Sequence, residues 1–247
     1  MSVSLPAGRP RRLKELSPPV VAEILRRDPR LLVPVGATEP HGAHLPMGCD
    51  TIIVERLADD LSARFGVLRA PTVEYGVNAP PSTPTLGAAG VRKKTLHRLL
   101  NDLAAAWEGC GVDELILLTA HAHDPHQEAL ATVITARARV RVVDLFAIDL
   151  GDLLEGQLEP MHGDEVDTSL LLHLAPELVH LDAAQDYMVE RGVLRRFRRG
   201  RQPPERGVTG SLGRPSLASA DKGRRLYERI LDRVAQRVLG APPLLDE

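Results

Sequence analysis

Residues 30–66 read "RLLVPVGATEPHGAHLPMGCDTIIVERLADDLSARFG", and this stretch decides the fold. The apolar run at its start, "RLLVPVGA", has the length and composition of a buried strand. Its end, "TIIVERLADDLSARFG", places Ile53, Leu57 and Leu61 one helical turn apart and stops at Gly66, a common helix terminator. Asp50 stands just before this helix, where it can cap it. Between strand and helix lie the twelve residues "EPHGAHLPMGCD", with two carboxylates, two histidines and a cysteine. A surface loop needs no such set of metal-binding side chains.

The same alternation continues outward. "VLRAPTVEYG" reads as a second strand and "VNAPPSTPTLGAAG" as a long Pro/Gly loop. "KKTLHRLLNDLAAAWEGCG" is an amphipathic helix with Leu96, Leu99, Leu100, Leu103 and Trp107 on one face. "DELILLTA" is a strand, "EALATVITARAR" a helix and "VRVVDLFAID" a further strand. "EPMHGDEVDTSLLLHLAPELV" runs from a polar loop into a helix. "LASADKGRRLYERILDRVAQRVLG" closes the chain as a long helix. Strand, loop, helix, strand predicts an α/β single domain, a mainly parallel β-sheet flanked by helices. No repeat or linker divides residues 1–247; residues 1–27 read as an N-terminal extension and 190–216 as an irregular Arg/Pro/Gly-rich loop. In such sheets ligands bind beyond the carboxyl ends of the strands, which sets the loops at 39–50 and 121–126 on one edge.

Composition excludes several classes. The 247 residues carry a net charge of −2, with 43% hydrophobic and only 3% aromatic residues, against a nucleic-acid or membrane-surface binder. No apolar stretch is long enough to span a bilayer. The N-terminus is basic without an apolar core, so it does not read as a signal peptide. Two cysteines, Cys49 and Cys110, form no disulfide framework and fit a reducing cytoplasm.

Three groups of residues point to chemistry. Glu39, His41, His44 and Asp50 offer oxygen and imidazole ligands, a mixture that zinc, manganese and iron all accept. In "HAHD", His121 and His123 fall on one side of an extended chain. "HGDEVD" adds His162, Asp164, Glu165 and Asp167. Each group alone reads first as a surface hydrogen bond; together, at predicted strand ends, they suggest a shared site. An aspartate between two ions can bridge them, and two such ions activate a water against a carbonyl. His44 can instead orient a neighbouring ligand. His97, His173 and His180 read as ordinary helical or surface residues, and Asp124 and His126 as the start of a helix.

These residues resemble a known family. "VPVGATEPHGAHLPMGCDT" is similar to the signature of the creatininase (creatinine amidohydrolase) family, roughly "PxGSxExHGPHLPLxTDT". "TLGAAGVRKKTL", "LTAHAHD", "HGDEVDTSLLLHLAPELV" and "GVTGSLGRPSLASADKGRRL" resemble later family segments in the same order, over about residues 28–240. The resemblance implies one α/β domain and a metal-dependent amidohydrolase acting on a non-standard C–N bond: a cyclic amide, a formamide or a modified peptide. It implies a divalent metal site, two ions per chain (Zn, Mn or Fe), and a homo-oligomer, often a hexamer. By position, Glu39 and His121 hold one ion, His41 the other, and Asp50 bridges. His123 or Asp167 completes the ligand set of the second ion, and His162 or Glu165 moves the proton to the leaving nitrogen.

The chain departs from the pattern at Thr119, Ala122, His123 and Asp124, where the family has Asn and Gly, and at Ala88, where it has Thr. Asp167 is one methylene shorter than the usual Glu. Cys49 replaces a Thr and reads as a small buried filler. No tryptophan follows Trp107, which argues against creatinine itself as substrate. The altered segment also admits a non-catalytic, ligand-binding member of the fold. The arginine run from Arg195 to Arg206 reads as a solvated loop or as a wall that binds an anionic substrate group.

Overall fold

The computed structural model describes residues 8–79, 86–200 and 210–240. Among them five strands form one all-parallel sheet. In chain order these are β1 (Arg11–Arg12), β2 (Arg30–Pro34), β3 (Leu68–Arg69), β4 (Glu114–Thr119) and β5 (Arg139–Asp144), arranged β1-β3-β2-β4-β5. Seven α-helices flank it: α1 (Pro18–Arg27), α2 (Cys49–Phe65), α3 (Lys93–Gly109), α4 (Asp124–Ala131), α5 (Glu165–Leu174), α6 (Arg191–Arg198) and α7 (Ala220–Val234).

Side chains alternate across a strand, and the two central strands use both faces. Leu32, Ile116 and Leu118 point to one side, into a core with Ile53, Leu57 and Leu61 of α2, Leu170 of α5 and Ile230 of α7. Leu31, Val33, Leu115 and Leu117 point to the other, against Leu96 and Leu100 of α3 and Leu130 of α4. A parallel sheet covered on both faces needs such continuous apolar strands. The chain leaves β2 toward β3 on one side and reaches β4 on the other. The crevice between the ends of β2 and β4 is therefore the switch point of the sheet, where α/β folds bind ligands.

One contact sets the start of α2 against that crevice. A Cβ on Gly36 would lie 2.3 Å from Thr51 Oγ1 and 2.7 Å from its Cα, so only glycine lets the helix reach the strand end. Asp50 sits inside the first turn rather than before it. Gly48 is the N-cap, without a side-chain cap, which leaves the Asp50 carboxylate free for the site. Gly66 ends α2 at φ 69° with its N–H on Ser62 O at 2.9 Å, as expected.

Other elements differ from the sequence reading. The N-terminal stretch is not a bare extension: β1 pairs with β3, Arg12 forks onto Asp59 at 3.0 and 2.7 Å, and α1 begins at Pro18 and Pro19, the turn proline favours. The strand at 67–76 shrinks to Leu68–Arg69, because Pro71 cannot continue a ladder. Helix α4 starts at Asp124 and ends at Ala131, earlier than expected. Its tail holds the β-branched run Thr132–Thr135, poor in helix propensity. The chain beyond is held by Glu108, whose carboxylate accepts from the N–H groups of Ala136, Arg137 and Ala138. Leu99 of α3 is exposed instead of buried. The region 190–216 contains helix α6; its residues 201–209 lie outside the described residues, as does part of the arginine run. No helix among the described residues is long and apolar enough to cross a membrane.

Candidate metal centre

The loop after β2 folds back on itself through Glu39 N–H to Met47 O, 3.0 Å, and delivers Glu39, His41 and Asp50 to the crevice. Asp50 faces two imidazoles with its two oxygens: Oδ1 is 3.2 Å from His41 Nε2, and Oδ2 is 3.2 Å from His121 Nδ1. Glu39 Oε1 lies 2.9 Å from the same His121 Nδ1 and 3.8 Å from His162 Nδ1. Two sets of three ligand atoms lie within 4.8 Å of one another among the described residues: Glu39, Asp50, His121, and Glu39, His41, His162. Asp167 and His123 line the same small chamber, of about 20 Å³, without joining either set.

The charges are those of a site built for more than hydrogen bonds. Burial pushes His41 down, but Asp50, with help from Asp167 and Glu39, outweighs it and holds the imidazole at about 10. His121 is likewise pushed down by burial and lifted further up by Glu39 and Asp50. The same contacts keep Glu39 and Asp50 below the usual carboxylate range despite their burial. Asp167 goes the other way: burial and the neighbouring Asp164 raise it to about 8. His162, buried and beside the charged His41, is lowered to about 4. Asp167 Oδ1 and His123 Nε2 are buried with no hydrogen-bond partner among the described residues, and Glu39 Oε1 and Asp50 Oδ2 share a single donor, His121 Nδ1. Buried polar atoms are rarely left so. Oxygen and nitrogen atoms converging at these distances fit a divalent cation of the zinc, manganese or iron type.

The backbone orients the ring nitrogens. His41 Nδ1–H donates to Glu39 O at 3.2 Å, leaving Nε2 for the site. His162 Nε2–H donates to Pro40 O at 3.0 Å, leaving Nδ1. His121 Nε2–H donates to Val77 O at 3.0 Å, leaving Nδ1. His123 Nδ1–H shares that carbonyl at 2.6 Å. The Val77 N–H in turn donates to His126 Nδ1 at 3.2 Å, and His126 Nε2–H donates to Thr119 Oγ1 at 3.1 Å. The backbone of one residue, Val77, is thus clamped on both sides by three histidines. His126 is more than the start of a helix: it fixes the carbonyl that fixes His121, and its ring meets His121 edge-on with centroids 4.8 Å apart.

Two expected residues lie elsewhere. Glu165 is not brought to the chamber. Its carboxylate accepts from Lys222 Nζ and from the N–H groups of Glu155 and Gly156 at 2.9 and 3.0 Å. Helix geometry explains this: residues two apart point about 200° apart, so Glu165 and Asp167 cannot both face one side. Asp164 caps α5 by accepting from Val166 and Asp167 N–H at 2.8 and 3.1 Å. That rotation gives the chamber to Asp167, whose Oδ2 accepts from Gly163 N–H at 2.7 Å. His44 orients no ligand; its Nε2 pairs with Thr168 Oγ1 at 2.9 Å. Cys49 is fully buried in the core, as expected of a filler.

Comparison with known proteins follows the same lines. The chain is 28% identical over 238 residues to the mycofactocin precursor peptide peptidase of Mycobacterium ulcerans (strain Agy99), covering 92% of this chain and 91% of that one. It is 26% identical to the 3-dehydro-scyllo-inosose hydrolase of Thermotoga maritima, covering 86% and 77%. A solved creatininase mutant of Zn-Zn type shares the fold with a TM-score of 0.79 at 23% identity, over 95% of this chain and 99% of that one. The family described as creatininase, creatinine amidohydrolase, matches residues 14–238. With nine-tenths of its length inside that match, the chain belongs to the creatininase family of amidohydrolases.

Proposed function

We propose that this protein hydrolyses a C–N bond of a cyclic amide, formamide or modified peptide in a site holding two divalent ions. The observation that carries the reading is the Asp50 carboxylate, buried between His41 and His121 with one oxygen toward each. Glu39, His121 and Asp50 Oδ2 would hold one ion. His41, Asp50 Oδ1 and the free Oδ1 of Asp167 would hold the other. When bound, such ions lower the pKa of a water and polarise a carbonyl oxygen. His162 commits its Nε2–H to Pro40 O and turns Nδ1 to the chamber. Its Nδ1 is the atom to take a proton from the attacking water and hand it to the leaving nitrogen. His123 Nε2, facing the same chamber, orients the substrate. The Zn-Zn type of the structural neighbour supports a binuclear site, and the names of the relatives, a peptide peptidase and an inosose hydrolase, support hydrolysis as the shared chemistry. A reducing, cytoplasmic setting is supported by the two free cysteines, and homo-oligomeric assembly by the family resemblance.

Metal analysis of the purified protein tests this reading. About two equivalents of Zn, Mn or Fe are expected, with hydrolysis of amide or formamide probes lost on chelation and restored by metal. Absence of metal after reconstitution would leave a non-catalytic, ligand-binding member of the fold. His41 and His121 are both protonated in the metal-free site at pH 7, and their ligating nitrogens must lose those protons. Metal binding should therefore release protons, read as a calorimetric heat that changes with the ionisation enthalpy of the buffer.

His126 gives a second test. His126→Phe removes the acceptor for Val77 N–H without touching any ligand atom. It is expected to weaken metal affinity about 10- to 100-fold, as loss of an outer hydrogen-bond partner does. Competition against a chromogenic chelator measures it; unchanged affinity would show that the clamp on Val77 is not needed.

A further inference from the structure

Arg191, Arg195, Arg198 and Arg199, on and just after α6, line an open cleft of about 610 Å³ together with Leu194, Asp124 and Glu159. Four guanidinium groups face two carboxylates. The pairing is incomplete in geometry as well as in number. Glu159 serves both Arg191, at 3.6 Å, and Arg198, at 3.4 Å. Asp124 is 3.9 Å from Arg199. Arg195 has no side-chain partner among the described residues. Arg198 also donates through Nη2 to Pro160 O, yet its Nε is buried with no partner among the described residues. Arg191, Arg195 and Arg199 are exposed along the open cleft, and Arg198, 27% exposed, turns inward.

The cleft adjoins the metal centre. Arg198 lines both the cleft and the small chamber that holds Glu39, His41, Asp50 and His121. Phe197, the residue before it, closes the chamber with its ring edge-on to His162, centroids 5.5 Å apart. The chamber itself has room for little more than a water-sized group. A substrate reaching it must extend into a neighbouring space, and the one beside it carries excess positive charge.

We propose that this cleft is a subsite for an anionic group of the substrate, a carboxylate or a phosphate, held by Arg195, Arg198 and Arg199 while the scissile amide lies in the chamber. The guanidinium fork matches the paired oxygens of either anion, and the unpaired Nε of Arg198 supplies a donor at the junction. The placing of the amide rests on the hydrolase reading; the anion subsite rests on the arginines alone.

Three formamide probes with different end groups test it: N-formylglycine, its near-isosteric neutral amide N-formylglycinamide, and the longer N-formyl-2-aminoethyl phosphate. Each is titrated by ligand-observed NMR into the metal-loaded protein. One or both anionic probes are expected to bind about tenfold tighter than the neutral one, the worth of a charge-assisted hydrogen bond. The tighter of the two identifies the anion. In Arg195→Gln/Arg198→Gln the preference should fall to within about twofold. Glu159→Gln, which frees Arg191 and Arg198 from their acid, should strengthen anion binding about threefold; this opposite change guards against a variant that simply misfolds. Equal binding of charged and neutral probes, or a preference that survives in the double variant, would overturn the subsite. Metal content of the same samples reads the hydrolase assignment separately. A metal-free protein that still discriminates charge keeps the subsite and loses the hydrolase; a metal-loaded protein blind to charge does the reverse.

Discussion

Asp50→Ala is expected to lose metal and hydrolytic activity together. Asp50 is 1% exposed, and its two oxygens face His41 and His121, one toward each proposed ion position. Its removal takes a ligand from each. Loss of one outer hydrogen-bond partner already costs 10- to 100-fold in affinity, so loss of the shared ligand should exceed about 100-fold and leave the dialysed protein essentially metal-free. Activity should fall to background with it. The variant also leaves His41 and His121 with less compensating negative charge, which lowers both from their raised values and favours the neutral rings. Asp50→Asn separates charge from shape. It keeps the side-chain volume and one carbonyl oxygen, so it should fold as the wild type does and retain at most one equivalent. Metal content by mass spectrometry, beside far-UV circular dichroism of the metal-free forms, makes the measurement. Two equivalents retained in a folded Asp50→Ala protein would overturn Asp50 as the ligand shared by the two ions.

Part of this site was legible because its residues are adjacent in sequence. Glu39, His41 and Asp50 fall within twelve residues, after an apolar run long enough for a strand and before a helix with clear periodicity. Composition and period alone bring them to a strand end. His121 follows from the same logic at β4. The buttress of His126, Val77 and Thr119 could not be read this way. It works through a backbone carbonyl, which has no sequence signal, and through a loop from 77 that meets α4 only in three dimensions. The sole hint was a second histidine three residues after His123, and that spacing is also ordinary for a helix start. The choice among Asp164, Glu165 and Asp167 depended on the rotation of α5, set by the Asp164 cap. Three acids in four residues look alike until that rotation is known. Helix α6 was hidden by its composition: four arginines in eight residues mask a helix that buries only Leu194.

Removing Lys222 should destabilise the protein more than any single change at the surface, and without altering the chemistry per folded molecule. Lys222 and Glu165 are 2% and 0% exposed, and form an ion pair between α7 and α5. Lys222 Nζ also donates to Leu217 O at 2.7 Å and pairs with Glu155 at 2.9 Å. The helices have no slack there: a Cβ on Gly223 would come within 1.8 Å of Ser169 O. Lys222→Met fills the same space but strands the Glu165 carboxylate in the core with only its two backbone N–H partners. Breaking a buried pair from one side costs about 3–5 kcal/mol, read as a lower urea midpoint with an unchanged slope. Lys222→Met/Glu165→Gln removes both charges and should recover most of that loss. The pair also carries a pH signature. Burial lowers the Lys222 pKa, but Glu165 and Glu155 raise it further, above its ordinary value. A raised lysine stabilises the fold fully below its unfolded pKa of about 10.4 and loses that contribution as pH rises through the folded value. The wild type should therefore lose stability above about pH 10 more steeply than the double variant. Glu165→Gln should likewise lower stability while sparing the turnover of the folded fraction, since the carboxylate faces Lys222 and not the chamber. A collapse of turnover in fully folded Glu165→Gln would return Glu165 to the reaction.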